Sequence, residues 1–121
     1  MKNRLLKDSF RNAFSGIFQA FKTERNIKLH CVSAILAIVF AYILKFQVIE
    51  WILIVFIITV VFVTELLNTA VEYSIDMVCG NKYNEIAKYA KDIAAGATLI
   101  AAVGAICVFL LLYLPKIIQL I

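Results

Sequence analysis

Three carboxylates lie on one side of a long apolar segment. Glu65, Glu72 and Asp76 follow an uncharged stretch, at positions i, i+7 and i+11. At about 100° per residue of helix they fall within about 40° of one another, and Asn68 extends the same stripe. An ionisable side chain inside a membrane span costs about 2.5–3.5 kcal/mol on insertion scales, so these residues are candidate functional groups.

A carboxylate stripe of this kind suits three kinds of chemistry. Hard divalent cations bind oxygen ligands, and Mg²⁺ typically uses one or two carboxylates together with phosphate oxygens. The stripe can also relay protons or cations through a pore. It can finally pair with basic residues of another helix and fix the register between the two helices.

Two further polar sites lie at the same boundary of the apolar segments. Glu24 precedes the first segment, and Lys91-Asp92 precedes the third. If the segments bundle, we expect Glu24, Glu72 and Asp92 to converge on a shared cation, with Asp76 as a further ligand. For Lys88 and Lys91 alone a solvated loop is the favoured interpretation, but a lysine beside an aspartate at the mouth of a span also suits a phosphate.

The chain lacks the usual nucleotide and hydrolase motifs. It has no G-x-x-x-x-G-K-[ST] and no G-x-G-x-x-G, and its single histidine, His30, has no Ser–His–Asp set around it. Nucleotide chemistry here would therefore use metal held by carboxylates and scattered basic groups. Phosphoryl transfer is compatible with this, because it needs positioning, charge neutralisation and a base more than covalent help.

The composition places these residues in a membrane protein. The chain has 121 residues, of which 64% are hydrophobic and 17% charged, against about 45–50% and about 25% in soluble domains. One Pro and 4 Gly favour helices over a β-barrel. Uncharged stretches predict an all-α domain over residues 1–121, with transmembrane helices at about 27–46, 49–72 and 92–115.

Basic residues predict the orientation of these spans. Of the 12 Lys and Arg, ten lie before the first span or between the second and third, and only Lys45 and Lys116 lie on the other side. This asymmetry places the N-terminus in the cytoplasm, with the polar sites at the cytoplasmic face of the cell's inner membrane. The net charge of +4 therefore reflects topology, and we expect no nucleic-acid partner.

An amphipathic helix is predicted at about residues 5–22. Its apolar positions recur at steps of three and four residues and are Leu6, Phe10, Phe14, Ile17, Phe18 and Phe21. This face suits the membrane–water interface, or alternatively packs on the neighbouring spans. The three cysteines are interpreted as packing residues.

The motifs resemble those of the prokaryotic integral-membrane lipid kinases, which comprise diacylglycerol kinase and undecaprenol kinase. The resemblance rests on E-L-L-N-T-A-V-E at 65–72, on A-K-D-I-A-A-G-A at 90–97, and on Gly16 eight residues before Glu24. It implies ATP:lipid phosphotransfer by a homotrimer, each subunit having one surface helix and three spans. It further implies that Mg²⁺ bridges the ATP phosphates.

The same resemblance implies roles for individual residues. Glu65 would be the general base on the lipid hydroxyl, and Glu24 and Glu72 would hold the Mg²⁺. Substrate contacts would come from Glu65, Asn68 and Ala95. Nucleotide contacts would come from Asn12, Glu24, Glu72, Tyr83, Asn84, Lys91 and Asp92. The family's arginine near the N-terminus has no clear match here, since Leu5 falls at its place with Arg4 beside it.

Departures from the pattern bear on the lipid substrate. Ala95 replaces a serine of the enteric enzyme, and Glu24-Arg25-Asn26 followed by His30 resembles the Gram-positive branch, which is associated with undecaprenol kinase activity. We therefore favour undecaprenol over diacylglycerol as the long-chain alcohol.

A transporter that uses the carboxylate stripe is the alternative from another class. A pore needs polar groups through its full depth, whereas a lipid kinase needs them only where ATP meets the headgroup. The first span has only Ser33 and Tyr42 within its body, and the third only Thr98 and Tyr113. The outer half of a pore would therefore be dry. The third hypothesis, a small structural or assembly protein, would require no carboxylate cluster at all.

Overall fold

The computed structural model describes residues 5–121, which form four helices. Their bounds are Leu6–Thr23 for α1, Arg25–Ile43 for α2, Val48–Cys79 for α3 and Glu85–Leu120 for α4. The last three are long and apolar enough to cross a membrane. The all-helical fold with three candidate spans is thus confirmed. Arg4 lies outside the described residues.

Helices α3 and α4 are longer than the spans predicted within them. The 32 residues of α3 and the 36 of α4 correspond to about 48 Å and 54 Å of helix, against a hydrocarbon core of about 30 Å. The uncharged stretches identify only the apolar part of each helix. Beyond them the helix continues for several turns that carry charged residues, where lipid does not surround it. The end of α3 after Glu72 and the start of α4 before Asp92 therefore project from the apolar body.

Small side chains allow α3 and α4 to pack closely. Ala101 and Ala105 of α4 are buried against Val61 of α3, and Phe109 packs at the edge of this cluster. Alanine at a helix interface lets two backbones approach, which strengthens van der Waals packing where hydrophobic exclusion from water contributes little. The α3–α4 pair therefore forms the packed centre of the described chain.

The turn between α2 and α3 closes the end of the bundle remote from Glu65. Lys45 adopts a left-handed backbone conformation, with φ of 58°, and Phe46 is buried. The Lys116 ammonium lies 3.1 Å from the Glu50 carboxylate and 5.5 Å from the centre of the Phe46 ring. These contacts hold the last turns of α4, and the helix continues through Pro115 instead of ending there.

Helix α1 does not use its aromatic face to pack on the chain's own spans. Phe10, Phe14 and Phe18 are 59%, 68% and 63% exposed, and Ala20 is the buried residue of the helix. Within a single chain, packing on the spans is therefore excluded, and the aromatic face is left available for the membrane interface. The helix ends at Glu24, whose backbone is extended.

Candidate active site

Glu65 is the most enclosed charged side chain among the described residues. It lies on α3 with 7% of its surface exposed, and its Oε1 is 3.1 Å from Nε2 of His30 on α2. Thr69, one turn further along α3, donates its hydroxyl to the backbone carbonyl of Glu65 at 3.0 Å. Glu65 therefore has a polar partner on a second helix, which the sequence analysis missed.

Glu24 lies at the break between α1 and α2. The break between α1 and α2 at Glu24 is held by a 2.8 Å hydrogen bond between the Thr23 hydroxyl and the Tyr73 hydroxyl. Burial raises the pKa of the Glu24 carboxyl, and the negative charges of Glu72 and then Glu65 raise it further. Because Thr23 precedes Glu24 and Tyr73 follows Glu72, the hydroxyl contact places the break beside the stripe on α3.

Asn68 lies on α3 between Glu65 and Glu72. Its Nδ2 donates to Oε1 of Glu72 at 3.3 Å. Its Oδ1 is buried, and within residues 5–121 it has no hydrogen-bond partner. A buried amide oxygen is costly to leave unpaired, so this atom is available to accept a hydrogen bond from a bound molecule.

The expected convergence of Glu24, Glu72 and Asp92, with Asp76 as a fourth ligand, is not found. In residues 5–121 no three His, Cys, Asp or Glu side chains are grouped closely enough to hold a metal ion. Asp92 accepts from Lys88 at 2.6 Å, and Asp76 accepts from Lys91 at 2.6 Å. Lysines of α4 neutralise two of these carboxylates, and the spacing of the carboxylates along the sequence does not reveal this pairing.

A depression of about 200 Å³ lies where α3 meets α4, and it brings together Tyr83, Asn84, Lys91 and Asp92. The Asn84 side chain also caps α4 by accepting from the Ala87 backbone N–H at 3.0 Å. Two other predicted contact residues lie elsewhere. Asn12 is exposed on α1, and Ala95 is exposed on α4.

An apolar groove of about 480 Å³ runs between α2 and the α3–α4 pair. His30 lies at its end near Glu65, and Tyr113 lies at the other end, where its hydroxyl donates to the backbone carbonyl of Ala37. Between these two residues the lining is almost entirely aliphatic and aromatic. No sequence motif marks this groove, because it is formed by side chains from three helices.

Sequence comparison with known proteins identifies the family of this chain. Residues 11–113 match the family described as prokaryotic diacylglycerol kinase. The chain belongs to this family. It is 40% identical to an undecaprenol kinase of Bacillus subtilis (strain 168), over 94% of this chain and 91% of that protein. It is 40% identical to a diacylglycerol kinase of Synechocystis, over 93% of this chain and 64% of that protein.

A diacylglycerol kinase of Escherichia coli (strain K12) is 30% identical, over 83% of this chain and 81% of that protein. The chain is accordingly a lipid kinase with membrane-spanning helices, and its class makes ATP the co-substrate. This confirms the resemblance on which the sequence analysis relied. In this kinase the carboxylate stripe belongs to a phosphotransferase, which argues against the transporter alternative.

Proposed function

We propose that this kinase transfers the γ-phosphoryl group of ATP to undecaprenol, with its active site at the cytoplasmic face of the inner membrane. The observation that carries the proposal is the position of Glu65. Its buried carboxylate lies beside His30, at the end of an apolar groove. Glu72 is seven residues away on the same helix, or about 10 Å along the axis. A lipid alcohol and a phosphate can therefore meet between the two carboxylates.

In this proposal Glu65 is the general base. It takes the proton of the lipid hydroxyl while the hydroxyl oxygen forms a bond to the γ-phosphorus. The bond between the γ-phosphorus and the oxygen that bridges to the β-phosphate breaks, and ADP leaves with that bond's electron pair. The buried, water-poor position of Glu65 favours proton transfer over loss of the phosphoryl group to water.

Glu24 and Glu72 fit a magnesium ion. The residues beside them, Thr23 and Tyr73, are joined through their hydroxyls at 2.8 Å, and the charge of Glu72 contributes to the raised pKa of Glu24. A divalent cation would relieve this repulsion, and Mg²⁺ commonly uses one or two carboxylates with phosphate oxygens. When bound, the ion supplies charge neutralisation on the ATP phosphates. Asn68 orients the Glu72 carboxylate through its 3.3 Å hydrogen bond.

The nucleotide is proposed to occupy the depression at the α3–α4 connection. Tyr83, Asn84, Lys91 and Asp92 line it, and Lys91 supplies a cation for a phosphate once its pairing with Asp76 opens. Asn12, which is exposed on α1, would reach the same nucleotide from the interface. The combination of a basic group and nearby carboxylates is suited to a metal–nucleotide complex.

The choice of undecaprenol rests on residue identities and on the comparison with relatives. Ala95 and the Glu24-Arg25-Asn26 motif followed by His30 resemble the Gram-positive branch, and the Bacillus subtilis relative covers nearly the whole chain. Asn68 and Ala95 are the proposed substrate contacts beside Glu65. Diacylglycerol is the second candidate, since the Synechocystis relative is equally similar in sequence.

A homotrimer with cytoplasmic N-termini is part of the same proposal. In a single chain Glu72 is only half-buried. A charged group that faces hydrocarbon is costly, so neighbouring subunits are expected to enclose the acidic stripe.

The decisive experiment supplies lipids one at a time to the purified kinase in detergent with Mg·ATP. ADP release and labelled phospholipid are measured with undecaprenol, with diacylglycerol and without lipid. The proposal expects turnover only with lipid and a higher kcat/KM for undecaprenol. A higher kcat/KM for diacylglycerol would reassign the substrate, and ADP release independent of lipid would contradict the function.

A further inference from the structure

His30 is the single histidine of the chain, and within residues 5–121 it makes the side-chain hydrogen bond that joins α2 to the Glu65 carboxylate. Its Nε2 lies 3.1 Å from Glu65 Oε1. An ionised carboxylate only accepts hydrogen bonds, so with Glu65 in the form that can act as a base this contact requires the imidazole to donate from Nε2. The edge of the His30 ring also packs on the Phe62 ring, with the centroids 6.3 Å apart.

The two carboxylate oxygens of Glu65 differ in their surroundings. Within residues 5–121, Oε1 accepts from His30 and Oε2 accepts no hydrogen bond. The terminal torsion of a glutamate is broad, so a carboxylate without a fixed partner samples many orientations. A hydrogen bond from a packed ring removes that freedom. Oε2 is thereby left as the oxygen that can take a proton.

The choice of a histidine matters for basicity. A lysine or arginine in contact with Glu65 would stabilise its ionised form strongly and make it a weaker base, as an opposite charge does for any carboxylate. An imidazole, unlike a lysine or arginine, can donate this hydrogen bond in a neutral form. On α4 the groove residues are apolar apart from Tyr113 at the far end, so no cation approaches Glu65 from that helix within the groove.

We infer that His30 is a positioning residue for phosphoryl transfer, which holds Oε1 of Glu65 so that Oε2 meets the lipid hydroxyl. This inference rests on the proposed role of Glu65 as the base. His30 touches neither ATP nor the phosphorus in this arrangement. Its loss should therefore lower kcat and leave the affinity for Mg·ATP unchanged.

The test compares His30→Ala and His30→Leu, which lack a donor, with His30→Gln, which retains an N–H donor. Cys31→Ala is the matched control, because it changes the next residue on α2 without touching the Glu65 contact. The kcat with lipid, the KM for lipid and the Kd for Mg·ATP are measured for each. If His30→Ala fails to fold, the comparison of His30→Leu with His30→Gln carries the same test.

We expect kcat to fall about 10- to 100-fold in the two variants without a donor, with the Kd for Mg·ATP within about twofold of the original. His30→Gln should recover most of the loss. A kcat in His30→Leu equal to that of Cys31→Ala would overturn the inference, as would a His30→Gln no better than His30→Leu. Glu65→Gln, measured alongside, separates the role of Glu65 as the base from the role of His30 as its positioning residue. If Glu65→Gln stays active, the proposed base is wrong. If Glu65→Gln is inactive and His30→Leu is active, only the role of His30 is rejected.

Discussion

The hydroxyls of Thr23 and Tyr73 lie 2.8 Å apart and join the end of α1 to α3 across 50 positions of sequence. Thr23 precedes Glu24, and Tyr73 follows Glu72. The bond therefore fixes the distance between the two proposed magnesium ligands through their neighbours. The hydroxyl pair takes no direct part in holding the metal.

Tyr73→Phe tests this arrangement. Without the phenol hydroxyl, the break at Glu24 moves more freely relative to α3, and we expect the KM for Mg·ATP to rise roughly 3- to 10-fold, as for the loss of one neutral hydrogen bond. The kcat should change little. Tyr89→Phe is the matched control, because the Tyr89 hydroxyl bonds to Glu85 within α4. An equal rise in KM for both variants would contradict a specific role for Tyr73.

Glu65 and Glu72 should fail at different steps. Glu65→Gln should bind Mg·ATP but lose at least about 100-fold in lipid phosphorylation, as expected for removal of a general base. Glu72→Gln should lose Mg·ATP affinity. Nucleotide binding and lipid phosphorylation are measured on both variants. Thr64→Val is the control, because the Thr64 hydroxyl bonds only to the Val61 carbonyl of its own helix. Near-normal turnover in Glu65→Gln would show that the base lies elsewhere, with Asp92 as the next candidate.

Glu24 gives a pH dependence of stability. Its pKa is raised above the ordinary value of 4.5, first by burial and then by the charges of Glu72 and Glu65. The folded state therefore holds this proton more tightly than the unfolded chain does. The contribution of this proton to the free energy of unfolding is fully present below pH 4.5. It is lost as the pH rises through the higher pKa of Glu24 in the folded state.

In the absence of Mg²⁺, we therefore expect Glu24→Gln to raise the thermal midpoint of the detergent-solubilised protein at pH 7.5. It should change the midpoint little at pH 4. Added Mg²⁺ should stabilise the original chain more than the variant, since binding to the folded state shifts the unfolding equilibrium. Thermal unfolding with and without Mg²⁺ at both pH values measures this. A midpoint for Glu24→Gln below that of the original chain at pH 7.5 would be inconsistent with the argument.

Lys116 should contribute to stability but not to catalysis. Lys116 pairs with Glu50 at 3.1 Å. Glu50 lies fifteen residues from Glu65 on α3, or about 22 Å along the helix axis. Lys116→Met should lower the free energy of unfolding by about 1 kcal/mol and leave the KM for ATP unchanged. Lys45→Met removes a neighbouring exposed lysine as the control. A large effect of Lys116→Met on turnover would mean that the far end of the bundle influences the active site.

Oligomerisation should be required for full activity. The half-buried Glu72 is expected to be covered by other subunits, and we predict a homotrimer. Sedimentation of the active protein in a density-matched detergent gives its subunit number. A fully active monomer would contradict this prediction.

The sequence predicted the helices and the stripe well, because both depend on local periodicity. Apolar stretches interrupted by charges identify spans, and the spacing of Glu65 and Glu72 places them on one face of α3. The contacts of individual carboxylates were predicted less well. Asp92 and Asp76 are paired with lysines of α4, and His30 reaches Glu65 across 35 positions. Such contacts depend on how helices are rotated against one another, which hydrophobic periodicity does not specify.

The groove beside Glu65 also affects how the reaction rate depends on substrate. Leu36, Phe40 and Ile106 along it are exposed, so a long hydrocarbon chain can enter sideways from the bilayer without passing through water. Encounter then takes place in two dimensions. Under the proposed function, the rate should follow the mole fraction of lipid alcohol in the membrane or micelle rather than its bulk concentration. Diluting the substrate with inert detergent at fixed total substrate should slow the enzyme.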